Sequence, residues 1–183
     1  RPVHGRARSR GAVRHGARVM ADKPIIFSAP MIRALLEGRK TQTRRVLKPP
    51  YGTLEYLRDG TWRPIWTKFF KGDGLYVREA HALVPASAYR MSEGVQQVID
   101  PTDRDRACIY AEGWERCKPR WRPSIHMPRW ASRLTLIVTD VRVQRLQEIS
   151  RGDAMEEGCP FANMADGQDP RDWFSDLWNS IHG

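Results

Sequence analysis

The shortness of its apolar segments most strongly constrains the fold of this chain. Between residues 20 and 183, runs rich in β-branched and apolar residues are brief, and they are closed by groups such as Pro49-Pro50 and Gly72-Asp73-Gly74. Such runs favour strands, whereas proline and glycine favour turns. Strands are predicted over 75–80, 108–111, 134–138 and 141–146, and the Asp59-Gly60 pair predicts a hairpin between 54–57 and 61–65. The strand over 134–138 is expected to be buried on both faces.

Helical patterns are fewer than strand patterns. Apolar stripes predict helices over 28–38 and 170–181, and a capping-box-like start at Ser150 predicts a third that ends at Gly158. Residues 84–106 carry many turn formers, so we expect a long excursion with at most one strand. Many short strands with few helices indicate an α+β fold, mainly β, built as a small barrel or half-open sheet decorated by short helices.

The basic charge of the chain is concentrated at its start. The whole sequence has 31 Lys and Arg against 21 Asp and Glu, for a net charge of +10. Residues 1–19 hold six of the arginines and no acidic residue, so residues 20–183 carry only +4. We interpret 1–19 as a tail that is disordered or translated upstream of Met20. A nucleic-acid-binding arm and a transit-type peptide are the alternatives. Residues 20–183 are then one domain.

Cysteine usage favours a cytoplasmic protein without a metal. The three cysteines are odd in number and widely spaced, so no disulfide framework is implied. A zinc set of Cys108, Cys117, His126 and Cys159 is the alternative, but structural zinc sites usually pair their ligands about two to four residues apart. We therefore expect reduced cysteines and no cofactor. A mean hydropathy of −0.60 and the lack of a long apolar run argue against a transmembrane helix.

Residues 38–45 concentrate four cations and two hydroxyls in eight residues. Arg and Lys are natural partners of anionic oxygens, and threonine hydroxyls add neutral donors, so this run predicts phosphate or carboxylate binding. A solvated edge strand protected by its charges is the alternative interpretation. The candidate binding residues are Arg39, Lys40, Thr41, Arg44 and Arg45.

A second candidate surface interleaves tryptophan with arginine and lysine between Trp114 and Arg133. Aromatic faces stack on bases and guanidinium groups bind phosphate, so this stretch predicts a single-strand or nucleoside platform that includes Trp121 and Arg122. Alternatively, the indoles cover one end of the sheet beneath arginine stems. We expect Trp130 to be a core residue and His126 to be a satisfied structural histidine.

Several motifs share one family resemblance. They are Lys-Pro-Ile-Ile-Phe-Ser-Ala-Pro-Met at 23–31, Leu-Glu-Gly-Arg-Lys-Thr-Gln-Thr-Arg-Arg at 36–45, Gly-Asp-Gly-Leu-Tyr-Val-Arg-Glu at 72–79, the Pro-Ser-Ile-His-Met-Pro run within 122–133, and the segment 148–158. Together they resemble the ASCH domain family, in particular its larger phage and prophage-type members. The resemblance covers most of residues 23–181.

The resemblance implies a PUA-like β-barrel whose basic cleft binds RNA or a modified nucleoside. No membrane partner is expected, because the sequence has no long apolar run. ASCH domains generally finish with an apolar strand that closes the barrel, whereas this sequence stops after an amphipathic helix. A missing closing strand leaves a sheet edge open to a protein partner or to self-association. A phage accessory or morphogenesis protein that only docks to a partner is therefore a further alternative.

The resemblance also implies an enzyme as the main alternative. Small ASCH proteins with a Gly-Arg-Lys-Thr run include amidohydrolases that deacetylate N4-acetylcytidine with Thr, Lys and Glu. By motif position these residues are Thr43, Lys40 and Glu157, with Glu156 the other choice for the acid. A neutral lysine can activate a threonine hydroxyl, which requires its pKa to fall by about three from about 10.4. The glutamate can hold the amine or pass the proton to the leaving group.

Overall fold

The computed structural model describes residues 22–47, 54–56, 58, 62–64, 67–116, 118–161 and 168–182. The predictions for the basic tail at 1–19, for the Asp59-Gly60 turn and for Cys117 lie outside these residues. For 54–56 and 62–64 only the backbone is described.

The described residues form short strands, three α-helices and a few single turns of 3-10 helix. The strands are β1 (Asp22–Ile26), β2 (Leu54–Tyr56), β3 (Trp62–Pro64), β4 (Gly74–Arg78), β5 (His81–Pro85), β6 (Val98–Ile99), β7 (Arg106–Tyr110) and β8 (Thr135–Ile137). The helices are α1 (Ala29–Leu36), α2 (Arg151–Glu156) and α3 (Pro170–His182), and the 3-10 turns are Ser124–His126, Arg129–Ala131 and Leu146–Glu148.

Two three-stranded sheets carry the fold. In the first, β4 lies between β1, which is parallel to it, and β8, which is antiparallel. In the second, β7 lies between β5 and β6 and is antiparallel to both. Strands β2 and β3 pair in antiparallel orientation, as expected for the two arms of the predicted hairpin. The α+β class is confirmed, but the strands in the described ranges remain in separate sheets and close no barrel.

Two apolar cores accompany the two sheets. Helix α1 begins after Ser28 and turns Ile32 inward, where it packs with Ile25 and Val77 of the first sheet. The second core joins Tyr110 of β7 to Met127 and to neighbouring small side chains. Burial of an apolar stripe against a sheet face is the dominant stabilising contribution for elements of this length. Among the described helices, each is too short or too polar to cross a bilayer.

Residues 134–146 depart from the sequence prediction. The predicted strand at 141–146 is wrong, because residues 141–145 pair with no strand in the described residues and Leu146 begins a 3-10 turn. The strand predicted at 134–138 forms over Thr135–Ile137, but it lies at the edge of the first sheet and Ile137 is 59% exposed. Periodicity records which side chains face inward, whereas a strand also needs a neighbouring backbone to bond.

The segment 84–106 is more regular than predicted. Strand β5 extends into its beginning and β7 starts at its end, and β6 between them is the one strand expected within the excursion. The apolar run of β5 is short and ends at Pro85. Because proline and the turn formers that follow are rare within strands, the sequence pattern did not predict this strand.

Candidate functional site

A buried ion pair joins the end of α1 to the end of α2. Gly38 adopts a φ of 73° after α1, and the chain then forms an isolated antiparallel bridge between Lys40 and Glu157. The Lys40 Nζ donates to Glu157 Oε2 and to the Glu157 backbone oxygen, each at 2.8 Å. The two residues are only 4% and 3% exposed. The structure therefore selects Glu157 over the exposed Glu156 as the partner of Lys40.

Gly158 makes this close approach sterically feasible. It ends α2 with a φ of 103°, a conformation that residues with a Cβ rarely adopt. A Cβ placed there would lie 2.9 Å from the Ala34 Cβ and 3.3 Å from the Lys40 Cβ. The glycine predicted to stop α2 thus also lets the ends of α1 and α2 meet.

Carboxylates of α2 and its cap neutralise much of the cationic run. Arg44 lies 3.1 Å from Glu157 Oε1 and 3.4 Å from Asp153 Oδ2. Gln42 donates to Asp153 Oδ1 at 3.0 Å and also to Glu156. Hydrogen bonds from Ser150 and Gln42, with the nearby charge of Arg44, lower the pKa of Asp153 to about 2. The site is therefore a network of ion pairs rather than a bare basic patch.

The environment of Lys40 disfavours its charged form. Burial lowers the pKa of Lys40, the carboxylate of Glu157 opposes that shift, and the guanidinium groups of Arg45 and Arg44 add to it. This direction is the one that a lysine base requires, and its largest cause is desolvation. The Phe27 ring, 5.6 Å from Nζ, forms part of the apolar surroundings.

A cleft lies beside this pair, between residues 43–45 and helix α3. It is a partly open groove whose volume of about 300 Å³ includes the solvent at its mouth. One wall is polar and consists of Thr43, Arg44, Arg45 and Glu157. The rest of the lining is apolar and consists mainly of Met31, Phe174, Leu177, Trp178 and Ile181, together with His182. Lys40 stands behind Glu157 and does not line the cleft.

The chain matches no protein-family model, no curated protein and no solved structure.

The residues of the predicted triad are only partly brought together. Lys40 and Glu157 are in direct contact, and Thr43 lines the same cleft as Glu157. The exposed Thr43 hydroxyl makes no hydrogen bond within the described residues, so the lysine amine and the threonine oxygen are not yet in contact. Thr41 is exposed, and its backbone N–H donates to Glu156 at 2.8 Å.

The two remaining arginines of the run have different surroundings. Arg39 pairs with Glu37, and its Nη1 donates to the backbone oxygens of Gly158 and Cys159 at 2.8 and 3.1 Å. Arg45 donates to the Ile26 backbone oxygen at 2.9 Å and has no carboxylate partner among the residues that the structure describes. Arg39 therefore ties two segments together, whereas Arg45 keeps a charge available at the cleft.

Trp121 and Arg122 lie elsewhere, next to the second sheet. The Trp121 ring packs edge-to-face on Trp114 at 5.8 Å, and Trp114 packs likewise on Tyr89 at 5.0 Å. Arg122 is exposed and exchanges backbone hydrogen bonds with His81. Neither residue lines the cleft, so the two surfaces suggested by the sequence are separate features of the molecule.

Two further predictions for this stretch meet different outcomes. Trp130 is half-buried against the second core, which agrees in part with the expected core position. The prediction for His126 is wrong, because this side chain is exposed, and the buried histidine of the region is His81. Alternation of apolar neighbours around His126 does not bury it, because residues 124–126 form a 3-10 turn rather than a strand.

The cysteines and the acidic residues give no metal centre in the part of the chain that the structure describes. No group of three His, Cys, Asp or Glu side chains there is arranged to hold an ion. Cys108 and Cys159 are buried free thiols. Burial raises the pKa of Cys108 to about 12, with the charge of Glu79 adding to the effect, so its thiol is held protonated and unreactive.

Acidification is expected to destabilise the protein through His81. This side chain is fully buried, and its Nε2 has no hydrogen-bond partner among the described residues. Burial lowers the pKa of His81 below 6.5, although its Nδ1 contact with the Glu79 backbone oxygen opposes the shift. Nearby charges on Arg122, His126 and Arg78 lower the pKa further. The folded state therefore holds the imidazole neutral.

The sign of the pH effect follows from that neutral form. The stability contributed by His81 is complete above about pH 6.5 and is lost as the pH falls toward the lower pKa of the folded state. When the pH is lowered from about 8 to about 5, the urea concentration at the unfolding midpoint of the wild type should decrease. The decrease should be smaller in His81→Leu. His126→Gln is the control and should keep most of the wild-type pH dependence, because burial rather than His126 is the largest cause of the low pKa of His81. Equal pH dependence in the wild type and His81→Leu would contradict this account.

The apolar wall of the cleft was not predicted as part of a site. The sequence pattern assigns Phe174, Leu177 and Trp178 to the buried face of a helix. Only Phe174 of these is buried, at 4% exposure. The signal that points to the wall is the aromatic spacing, since Phe174, Trp178 and His182 follow one another at four-residue intervals along one side of α3.

Proposed function

We propose that this chain is an ASCH-type domain whose cleft binds a nucleoside, either as a free modified nucleoside or as an unstacked base of RNA. The observation that carries the proposal is the pairing of an apolar, aromatic wall on α3 with a polar wall of Thr43, Arg44 and Glu157. Ligand pockets combine apolar surface with a few convergent polar groups, and a nucleobase has a flat apolar face with a polar edge.

The charge balance of the cleft favours a single nucleoside, because the carboxylates of Glu157 and Asp153 offset much of the charge of Lys40 and Arg44. Among the described residues that line the cleft, Arg45 is the cation without a carboxylate partner, and one such cation suits one phosphate rather than an extended phosphate backbone.

Titration of the full chain with defined ligands tests the proposal. Cytidine, adenosine, N4-acetylcytidine and a short single-stranded RNA are compared by calorimetry. We expect saturable nucleoside binding that changes little with salt. Because one phosphate contact releases about one counterion, RNA should bind only about threefold more weakly at about 200 mM than at about 50 mM salt. Failure of all these ligands to bind would refute the proposed function.

The buried Lys40–Glu157 pair favours a second candidate function, the removal of an acyl group from cytidine or a related amide. In that reaction the Thr43 oxygen attacks the acyl carbonyl carbon while the Lys40 amine accepts the hydroxyl proton. The carbon–nitrogen bond of the amide then breaks, and the proton passes to the leaving nitrogen with the help of Glu157. Water hydrolyses the acyl-threonine and regenerates the hydroxyl. The attack requires the Thr43 side chain to move into contact with Lys40.

Incubation with N4-acetylcytidine tests this reaction directly. We expect cytidine and acetate in equal amounts, turnover retained in Thr43→Ser, and turnover lost in both Thr43→Val and Lys40→Met. The neighbouring Thr41→Val is the matched control, because the Thr41 side chain is outside the cleft lining. Binding of N4-acetylcytidine without any release of cytidine would leave the domain a binding module.

A further inference from the structure

We propose that Trp178 is the stacking surface that receives the flat face of the base in this cleft. The inference rests on the proposed function and assigns a role to a residue that the sequence motifs do not mark. It also moves the aromatic platform from the tryptophans of the second sheet, where the sequence placed it, to helix α3.

The aromatic side chains on one side of α3 become more exposed toward the end of the helix. Phe174 is buried, Trp178 is half-buried and His182 is exposed. The Trp178 ring centroid lies 5.9 Å from that of Phe174 and 4.3 Å from that of His182, with interplanar angles of 42° and 41°. All three residues line the cleft. Trp178 is therefore held in place from both sides along the helix while part of its surface remains accessible.

Contacts of the neighbouring rings single out Trp178. The Arg44 guanidinium lies 5.7 Å from the Phe174 centroid, so a cation already occupies the deeper ring. Among the described cations, none is positioned over the Trp178 ring in the same way. The first aromatic surface open to a ligand is thus Trp178, one helical turn along α3, in the cleft that Thr43 and Glu157 also line.

Trp114 and Trp121, the tryptophans next to the second sheet, are not beside the polar groups of the cleft that could bind the edge of a base. Trp114 packs edge-to-face on both Tyr89 and Trp121, with interplanar angles of 89° and 86°. These rings contact one another and lie outside the cleft lining. A base stacked on them would have no access to the carboxylate and guanidinium groups that can bond its polar edge. The ligand class expected at Trp178 is a planar aromatic heterocycle, and a sugar without a base should not bind.

Binding of cytidine and adenosine to the full chain tests the inference, with Trp114→Ala as the matched control. A stacking contact contributes about 1–3 kcal/mol per base, which corresponds to a loss of about 5- to 150-fold in affinity for Trp178→Ala. We expect Trp114→Ala to bind within about twofold of the wild type and Trp178→Phe to recover much of the lost affinity. Ribose alone should not bind to any of these proteins.

Fluorescence keeps the test decisive if Trp178→Ala folds poorly. A base stacked on Trp178 should quench the emission of the wild type and of Trp114→Phe, but not that of Trp178→Phe. Wild-type binding with equal affinity in Trp178→Ala, or equal quenching in Trp178→Phe, would overturn the stacking role and leave the nucleoside cleft standing. Absence of nucleoside binding in the wild type would overturn the proposed function and this inference together.

Discussion

Replacement of Glu157 by Gln should lower the free energy of unfolding by about 3–5 kcal/mol, because it leaves the buried Lys40 amine without an opposite charge. The two side chains are in contact at 2.8 Å and almost inaccessible to water, so solvent cannot compensate. Loss of the carboxylate also lets the pKa of Lys40 fall further. The loss in the free energy of unfolding should therefore shrink as the pH rises toward 10.5, because the lysine amine of the unfolded state then also becomes neutral.

Urea denaturation measures this effect, and Glu156→Gln is its matched control. Glu156 is exposed, so its replacement should change the free energy of unfolding by no more than about 0.5 kcal/mol. The double variant Lys40→Met with Glu157→Gln should recover much of the loss, because it removes both charges from the interior. Equal stabilities of the Glu157 and Glu156 single variants would show that the buried pair does not form.

Arg133→Met should lower the free energy of unfolding by a similar amount, because Arg133 takes part in another buried ion pair. Arg133 Nε and Nη2 each donate to the Glu79 carboxylate at 2.9 Å, and Glu79 is 3% exposed. The guanidinium also stacks 4.1 Å from the Tyr110 centroid. Removal of the arginine takes away the cation that pairs with the buried Glu79 carboxylate. This should lower the free energy of unfolding by about 3–5 kcal/mol.

Arg129→Met provides the comparison for that variant. Arg129 and its partner Asp22 are 46% and 47% exposed, so this pair should contribute only about 0–1 kcal/mol. Thermal or urea unfolding of the two variants separates the effects of a buried and an exposed ion pair with the same substitution. A loss at Arg133 no larger than that at Arg129 would mean that water reaches Glu79 in solution.

Local sequence signals predicted the elements whose formation depends on neighbouring residues. The capping box of Ser150 and Asp153 forms as expected, and Asp169 accepts a hydrogen bond from the Arg171 backbone at the start of α3. The strand prediction at 141–146 failed because pairing depends on where another segment lies. The same limit applies to Ile137, whose apolar character gives no sign that β8 is at a sheet edge.

The polar half of the site followed from the sequence, and the apolar half did not. The family resemblance singled out Lys40 and Glu157, and they meet although 117 positions separate them. The carboxylates that offset the cationic run come from α2, so counting charges near Lys40 overstated how basic the cleft is. The sequence pattern assigns Trp178 only to the apolar face of a helix, because an amphipathic pattern does not distinguish a buried face from the wall of a cleft.

Mapping of the amide chemical shifts of the full chain during titration with cytidine tests the nucleoside cleft most directly. The account predicts that changes concentrate at residues 43–45, at Glu157 and along 174–182, with β7 (Arg106–Tyr110) unaffected. Changes centred on residues 114–122, with those of the cleft unchanged, would contradict it and return the binding surface to the tryptophans of the second sheet.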